Sequence, residues 1–220
     1  RGEKGMANSK KVYWEGSKEG AEVMEAVSED ALFQGIWPKV EARLGSFTRL
    51  NAAKYYEYAR AVRIGGVIME IGVDQGRSAT VLLEVAKRQA VTVHLVDSWE
   101  SVLVDNYYKV LNHVAASRPW HPDSTVQVRH MSSQTAAEEA AGLEGEIDLV
   151  LIDANHYGLM PGLDCELWLP MLRVGGVALF HDYGSTFPDV DEAVDRYTGD
   201  EERWEDLGAW DSLAVRRKRA

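Results

Sequence analysis

Residues 67–78 read Val-Ile-Met-Glu-Ile-Gly-Val-Asp-Gln-Gly-Arg-Ser, an apolar run that ends in an acid and then breaks at two glycines, Gly72 and Gly76. Gly65-Gly66 closes the run on one side and Gly72 on the other, which leaves it too short for a helix of its own. Ala79 to Arg88 is rich in helix formers, so the stretch reads as strand, glycine turn, helix. Such a unit cradles nucleotides. Both glycines lack a Cβ and reach backbone angles closed to other residues, so a ligand can lie against bare main chain there.

Spacing narrows the ligand. A dinucleotide site needs G-x-G-x-x-G to bring a pyrophosphate to the helix N-terminus. Here the pattern is E-x-G-x-x-x-G, with Val73 where the second glycine would stand, which argues against NAD and FAD. Glu70 would repel a diphosphate but suits a cation, and S-adenosylmethionine carries both a sulfonium and an ammonium. The block resembles the first motif of the class I methyltransferases, which implies a cofactor site that includes Glu70, Gly72, Gly76 and Ser78. Taken alone, an ordinary strand-turn-helix corner would read the same way.

A chain of 220 residues fits one domain with one core. Its net charge of −11 makes polyanions poor partners, because nucleic-acid binding relies on a basic surface that displaces counterions. The basic cluster Arg216 to Arg219 reads as a solvated tail. A single cysteine, Cys165, excludes an internal disulfide and a thiolate metal cluster, in keeping with a reducing compartment. No apolar run approaches the ~18 residues that span a bilayer, and no signal-peptide pattern opens the chain. A cytoplasmic protein without membrane contact is therefore expected, with a homo-oligomer left open. The chain starts at Arg1 and Met6 fits a natural start, which would make residues 1–5 foreign to it.

Residues 1–30 are polar and charged, and a loose arm with a short helix near Ala21 to Val27 is expected. Ala31 to Leu44 carries Leu32, Phe33, Ile36 and Trp37 at helical spacing, either as a flap over a site or as a helix covering a sheet. Residues 1–47 are thus read as an N-terminal arm in which that helix is either a lid or a cover for the sheet, ahead of a cofactor domain over 48–220. Within that domain Leu50 to Val62 reads as a helix. Val67 to Ile71, Val91 to Asp97, Thr125 to His130, Ile147 to Asp153 and Gly176 to Asp182 read as strands, separated by lengths that suit crossover helices. Trp204 to Leu207 and Leu213 to Arg217 flank Gly208 to Ser212, a spacing for a hairpin.

In an open parallel sheet the ligand lies beyond the carboxyl ends of the strands. Those ends carry Glu70, then Asp97-Ser98-Trp99, then Asp153 with His156, then His181-Asp182-Tyr183. Asp97 stands 25 residues after Gly72, near the ~20-residue spacing of an acid that binds a ribose diol, although it would also cap the next helix. Ser98 follows it. Trp99 either lies against an adenine or packs in the core. Ser132, after the third strand, could read the adenine edge.

The segment from Leu151 to Asp164, with Ile-Asp-Ala-Asn-His-Tyr, followed by Gly-Gly at 175–176 and His-Asp-Tyr at 181–183, is the most specific in the chain. Over residues 48–217 the sequence resembles the branch of class I methyltransferases that holds macrolide-sugar O-methyltransferases and relatives of cephalosporin hydroxylase. It departs from that branch where Tyr157 directly follows His156. The resemblance implies one Rossmann-like, doubly wound α/β sheet, mostly parallel with an antiparallel C-terminal hairpin. It further implies S-adenosylmethionine as cofactor with Asp153 at its site, a divalent ion (magnesium or manganese) on Asp153, His181 and Asp182, and His156 as general base. Two crowded carboxylates would repel, and a cation would remove that cost; alternatively both acids cap helices or bind water. The expected reaction is methylation of a hydroxyl on a small-molecule acceptor. The rivals are a cofactor-binding partner or sensor without turnover and an iron-dependent hydroxylase, since histidine with two acids also suits iron.

Overall fold

The computed structural model describes residues 11–100 and 103–220; the reading of Met6 as a start falls outside them. In chain order the elements are β1 (Val12–Tyr13), α1 (Lys18–Glu29), α2 (Ala31–Glu41), α3 (Arg49–Arg60), β2 (Gly66–Ile71), α4 (Ala79–Ala86), β3 (Val91–Asp97) and α5 (Val104–Ala116). There follow β4 (Thr125–His130), α6 (Ser133–Glu139), β5 (Ile147–Ile152), α7 (Met160–Trp168), β6 (Leu172–Phe180), α8 (Pro188–Thr198), β7 (Trp204–Trp210) and β8 (Leu213–Lys218). Among the described residues the strands form one eight-stranded sheet in the order β1-β7-β8-β6-β5-β2-β3-β4. Strands β6, β5, β2, β3 and β4 are parallel, and β8 runs antiparallel to β6 and β7. This is the doubly wound α/β fold expected from the sequence.

Burial on both faces explains why the central strands read as continuous apolar runs. Ile68, Leu149 and Leu151 face a core shared with α2, α3 and α4, while Met69, Ile71, Val150 and Ile152 face one shared with α6, α7 and α8. From β2 the chain goes outward through β3 and β4, then returns to β5 on the other flank of β2. Strand order reverses between β2 and β5, and a crevice opens at their carboxyl ends.

Three local expectations change. Residues 12–29, read as a loose arm with a short helix, carry β1 and all of α1, whose N-cap Ser17 accepts from Gly20 N over 3.1 Å. The hairpin is longer than the Gly208 to Ser212 loop allowed: a bulge between Asp206 and Ala209 absorbs Gly208, and β7 continues to Trp210 before a turn at Asp211, φ 52°. Of the C-terminal basic cluster, Arg216 to Lys218 are strand, not tail. Arg216 and Arg217 donate to Asp206 and Glu205, and Lys218 donates to the carbonyls of Leu169, Pro170 and Leu172.

One charged residue is built into the sheet itself. Asp148 on β5 is buried and accepts from Val67 N at 2.9 Å, Arg173 Nε at 2.6 Å and Arg63 Nε at 3.0 Å, which pins the start of β2 to β5 and β6. Asp148→Ala leaves the Val67 amide unsatisfied and opens a polar void, whereas Arg63 is half exposed and returns to water. A loss of about 2–4 kcal/mol in urea unfolding is expected, and a loss below about 0.5 kcal/mol would show that the cluster is only surface dressing.

Candidate functional site

The glycine turn is held from three sides. Gly72 has φ 88°, and a Cβ there would stand 1.9 Å from the Asp153 carbonyl oxygen. The approach of the chain leaving β5 therefore by itself requires the glycine. The amides of Val73 and Asp74 both donate to Asp97 Oδ2 over 2.8 Å, and Trp99 N donates to Oδ1 over 2.9 Å. Asp97 thus ties the turn to the end of β3 while still lining the cavity. Gly76 has no part in the cavity wall; its bare Cα faces Val110 and His113 of α5.

Glu70 and Trp99 are corrected as direct cofactor contacts. Glu70 is 0 % exposed and accepts from Ser78 Oγ at 2.7 Å and Tyr55 Oη at 3.1 Å, so it braces the turn from beneath. Burial pushes its pKa up to about 8 against the lowering effect of those two bonds. Trp99, with φ 34°, is 1 % exposed; its indole N–H donates to the Asp74 carbonyl at 2.7 Å and its ring packs against Tyr107 and His130. That conformation turns the indole under the turn and away from any adenine.

Above the turn lies a cavity of about 470 Å³, within the ~300–1,000 Å³ usual for a small-molecule site. Gly72, Ser78, Asp97, Ser98, Ser132, Asp153, His156 and Asp182 line it. Ser132 also caps α6, accepting from Thr135 N at 3.1 Å. Sequence reasoning missed Phe47, Arg77, Glu100, Gln134 and Asp164 as lining residues. Arg77 donates from Nε to Phe47 O at 2.9 Å and from a terminal nitrogen to Arg43 O, which draws the segment after α2 onto the cavity. The signal for this was the arginine directly after Gly76.

At the carboxyl ends of β5 and β6, two acids and two histidines interleave. His156 Nε2 lies 3.3 Å from Asp153 Oδ1 and 3.0 Å from Asp182 Oδ2; His181 Nδ1 lies 3.2 Å and 3.3 Å from the same two atoms. Hydrogen bonds to Asp153 and Asp182 push the His156 pKa up to about 9 against burial. Burial opposes charge on His181 more strongly, yet the same acids bring it to about 10. Burial alone would raise Asp182, but both imidazoles hold it well below the usual carboxylate range. One ligand atom each from Asp153, His181 and Asp182 falls within a 4.8 Å group, compact enough for one ion. His181 Nε2 is engaged by Ser212 Oγ at 3.3 Å, which aims Nδ1 at the acids, and Phe187 stacks on His156 with centroids 4.6 Å apart. Neither supporting residue had a sequence signal, since both come from distant segments.

No curated protein matches the chain by sequence. Several solved structures share its fold. CalS11, a TDP-rhamnose 3'-O-methyltransferase of calicheamicin biosynthesis, aligns with TM-score 0.57 and 16 % identity over 91 % of this chain and 95 % of its own. The O-methyltransferase NovP aligns with TM-score 0.57 and 12 % identity over 89 % and 99 %. The Podospora anserina methyltransferase PaMTH1, bound to S-adenosylhomocysteine, aligns with TM-score 0.55 and 16 % identity over 93 % and 97 %. The family model described as a methyltransferase domain matches residues 69–183, from within β2 to just past β6 and more than half of the chain. The chain belongs to that methyltransferase family, and it has the fold of the class I enzymes that use S-adenosylmethionine.

Proposed function

We propose that the enzyme methylates a hydroxyl of a small molecule, a sugar or another natural product, with a divalent ion held by Asp153, His181 and Asp182. One observation carries the reading: Asp153, His156 and Asp182 line the cavity whose floor is the glycine turn, and His181, buried behind them, closes the ring. The donor set fits an ion. Two carboxylates repel unless positive charge separates them, and two imidazolium groups hold that charge in the protein alone. A bound dication would supply it instead, gather acceptor hydroxyl oxygens and make one of them more acidic.

His156 is assigned the proton. A bound dication would offset the two acids that otherwise keep the imidazole protonated, and His156, then neutral at Nε2, would take the hydroxyl proton of the acceptor, whose oxygen lone pair forms the new bond to the methyl carbon. S-adenosylmethionine, held over the turn by Gly72 and Asp97, would supply the methyl group as an electrophile and leave as the neutral thioether. Phe187 keeps the imidazole in place, and Asp97 keeps the turn in place, so the chain contributes chiefly alignment and exclusion of water. The TDP-rhamnose specificity of CalS11 supports a sugar hydroxyl as acceptor. No helix among the described residues is long and apolar enough to cross a membrane.

Methyl-labelled S-adenosylmethionine offered with hydroxylated acceptors, TDP-rhamnose first, is expected to yield labelled product. Chelator should suppress turnover and magnesium or manganese restore it. Calorimetry should show binding of S-adenosylhomocysteine and none of NAD. Full turnover in chelator would leave the acids as polar scaffolding, and cofactor binding without label transfer would favour a sensor. Iron-dependent oxygen uptake would favour a hydroxylase.

A further inference from the structure

A second cleft, of about 590 Å³, adjoins the cavity between the end of α2 and α5 and shares Leu44 and Gln75 with it. Lys39, Arg43, Gln75, Lys109, Asn112 and His113 supply its polar lining, and among the described residues no carboxylate lines it. In a chain with a net charge of −11 this surface runs against the overall balance. Lys39 Nζ meets Glu84 at 2.9 Å, but that buried carboxylate already serves Lys87 at 2.6 Å and Arg88 at 3.1 Å. Lys109 Nζ donates to amide oxygens, Gln75 Oε1 at 3.2 Å and Asn106 Oδ1 at 3.0 Å. Arg43 donates from one terminal nitrogen to Gln75 O at 3.0 Å. Among the described residues no acid pairs with Arg43 or Lys109.

Five cations, Lys39, Arg43, Lys87, Arg88 and Lys109, thus gather about one carboxylate. The crowding is felt at His113, whose pKa is pushed down to about 4 by burial and then by Arg43 and Lys87. Like charges held together repel, and an anion that reaches several of them at once removes that cost while the concave wall concentrates their field. A single carboxylate has too few oxygens to meet all three lining cations. A diphosphate spreads its charge over two phosphoryl groups and can accept from the Arg43 guanidinium and both lysine ammonium groups together. The side-chain amides of Gln75 and Asn112 add neutral donors. No Phe, Tyr or Trp lines the cleft, so it offers the anion a place and a nucleobase no stacking platform.

We propose that the cleft between α2 and α5 is a binding site for a diphosphate group, held by Lys39, Arg43 and Lys109. The group is either free pyrophosphate or the diphosphate of a larger molecule such as a sugar nucleotide. Binding there requires no methyl transfer, so the site is independent of the acceptor proposed above.

The test is calorimetry with pyrophosphate at low ionic strength, on the full chain freed of metal by chelator and then desalted. The wild type is expected to bind with a Kd of ~1 mM or tighter. Lys109→Glu should weaken binding at least ~10-fold and Lys109→Gln at least ~3-fold. Arg203→Glu changes net charge as much as Lys109→Glu but lies outside the cleft, and should stay within ~2-fold of the wild type. Lys109 is exposed on its helix, and an unchanged melting temperature confirms that its variants fold. Absence of binding by the wild type overturns the site. So does equal loss in Lys109→Glu and Arg203→Glu, which would mark diffuse charge, and so does undiminished binding in folded Lys109 variants. TDP as a second probe separates the sources. Binding at least as tight as that of pyrophosphate assigns the diphosphate to a larger molecule, binding of pyrophosphate alone assigns it to the free anion, and either upholds the cleft.

Discussion

Replacing His156 with alanine is expected to lower kcat by ~10²–10⁴-fold, the usual contribution of a general base, with little change in S-adenosylhomocysteine affinity. The floor of the cavity is built from β2, β3 and their turn, whereas His156 is engaged by Asp153, Asp182 and Phe187. His181→Ala should act through the ion and recover in part when excess metal is added. Near-normal kcat in His156→Ala, together with a His181→Ala variant that resists metal, would exchange the two roles. The same ring sets a pH dependence for the chelator-treated protein. Folding raises His156 from about 6.5 to about 9 and His181 from about 6.5 to about 10. Their ion pairs thus stabilise fully below about pH 6.5, and that stabilisation is lost as pH climbs through 9 and 10. Melting temperature in chelator should fall across that interval. A flat profile would mean that the imidazoles are not charged in the folded state.

Gly72→Ala is expected to be the most damaging substitution in the turn. Its Cβ would stand 1.9 Å from the Asp153 carbonyl, and the φ of 88° is itself strained for alanine. Overlap with backbone cannot be relieved by a rotamer change, so the ends of β2 and β5 have to part. We expect a loss of about 3–5 kcal/mol in unfolding free energy and more than ~100-fold in cofactor affinity. Gly65→Ala separates the two causes, because its φ is 75° with open space around it. That control should cost only about 1–2 kcal/mol. Equal effects at both positions would show that strain, not the clash, governs the turn.

The strands of the parallel sheet were legible because burial on both faces leaves an apolar run with little else in it, as in Ile147 to Ile152. Strand ends were legible for the same reason: an acid or histidine closing such a run has few places to be except the crevice. What escaped the sequence depends on directions and on distant partners. Trp99 stands next to Asp97, yet a left-handed backbone sends its ring under the turn. Glu70 fits a site by spacing, but on its face of β2 it meets Tyr55 of α3 rather than the cavity. Asp97 was read for its ribose, while two amides of its own turn already use one of its oxygens. Ser212 and Phe187 reach the histidines from β8's turn and the start of α8, and no local pattern encodes that meeting.

The two-residue strand β1 has an effect out of proportion to its length. Lys11 O, just before it, accepts from Ala209 N at 2.7 Å, Tyr13 O accepts from Asp211 N at 2.6 Å, and the Tyr13 ring lies 4.6 Å from that of Trp210. Those contacts occupy the outer rim of β7, the side of the sheet that would otherwise offer bare amides and a large indole to any passing strand. An unguarded rim of this kind is a template for pairing between molecules. Chain shortened past Tyr13 would keep every residue of the crevice and lose its seal against self-association.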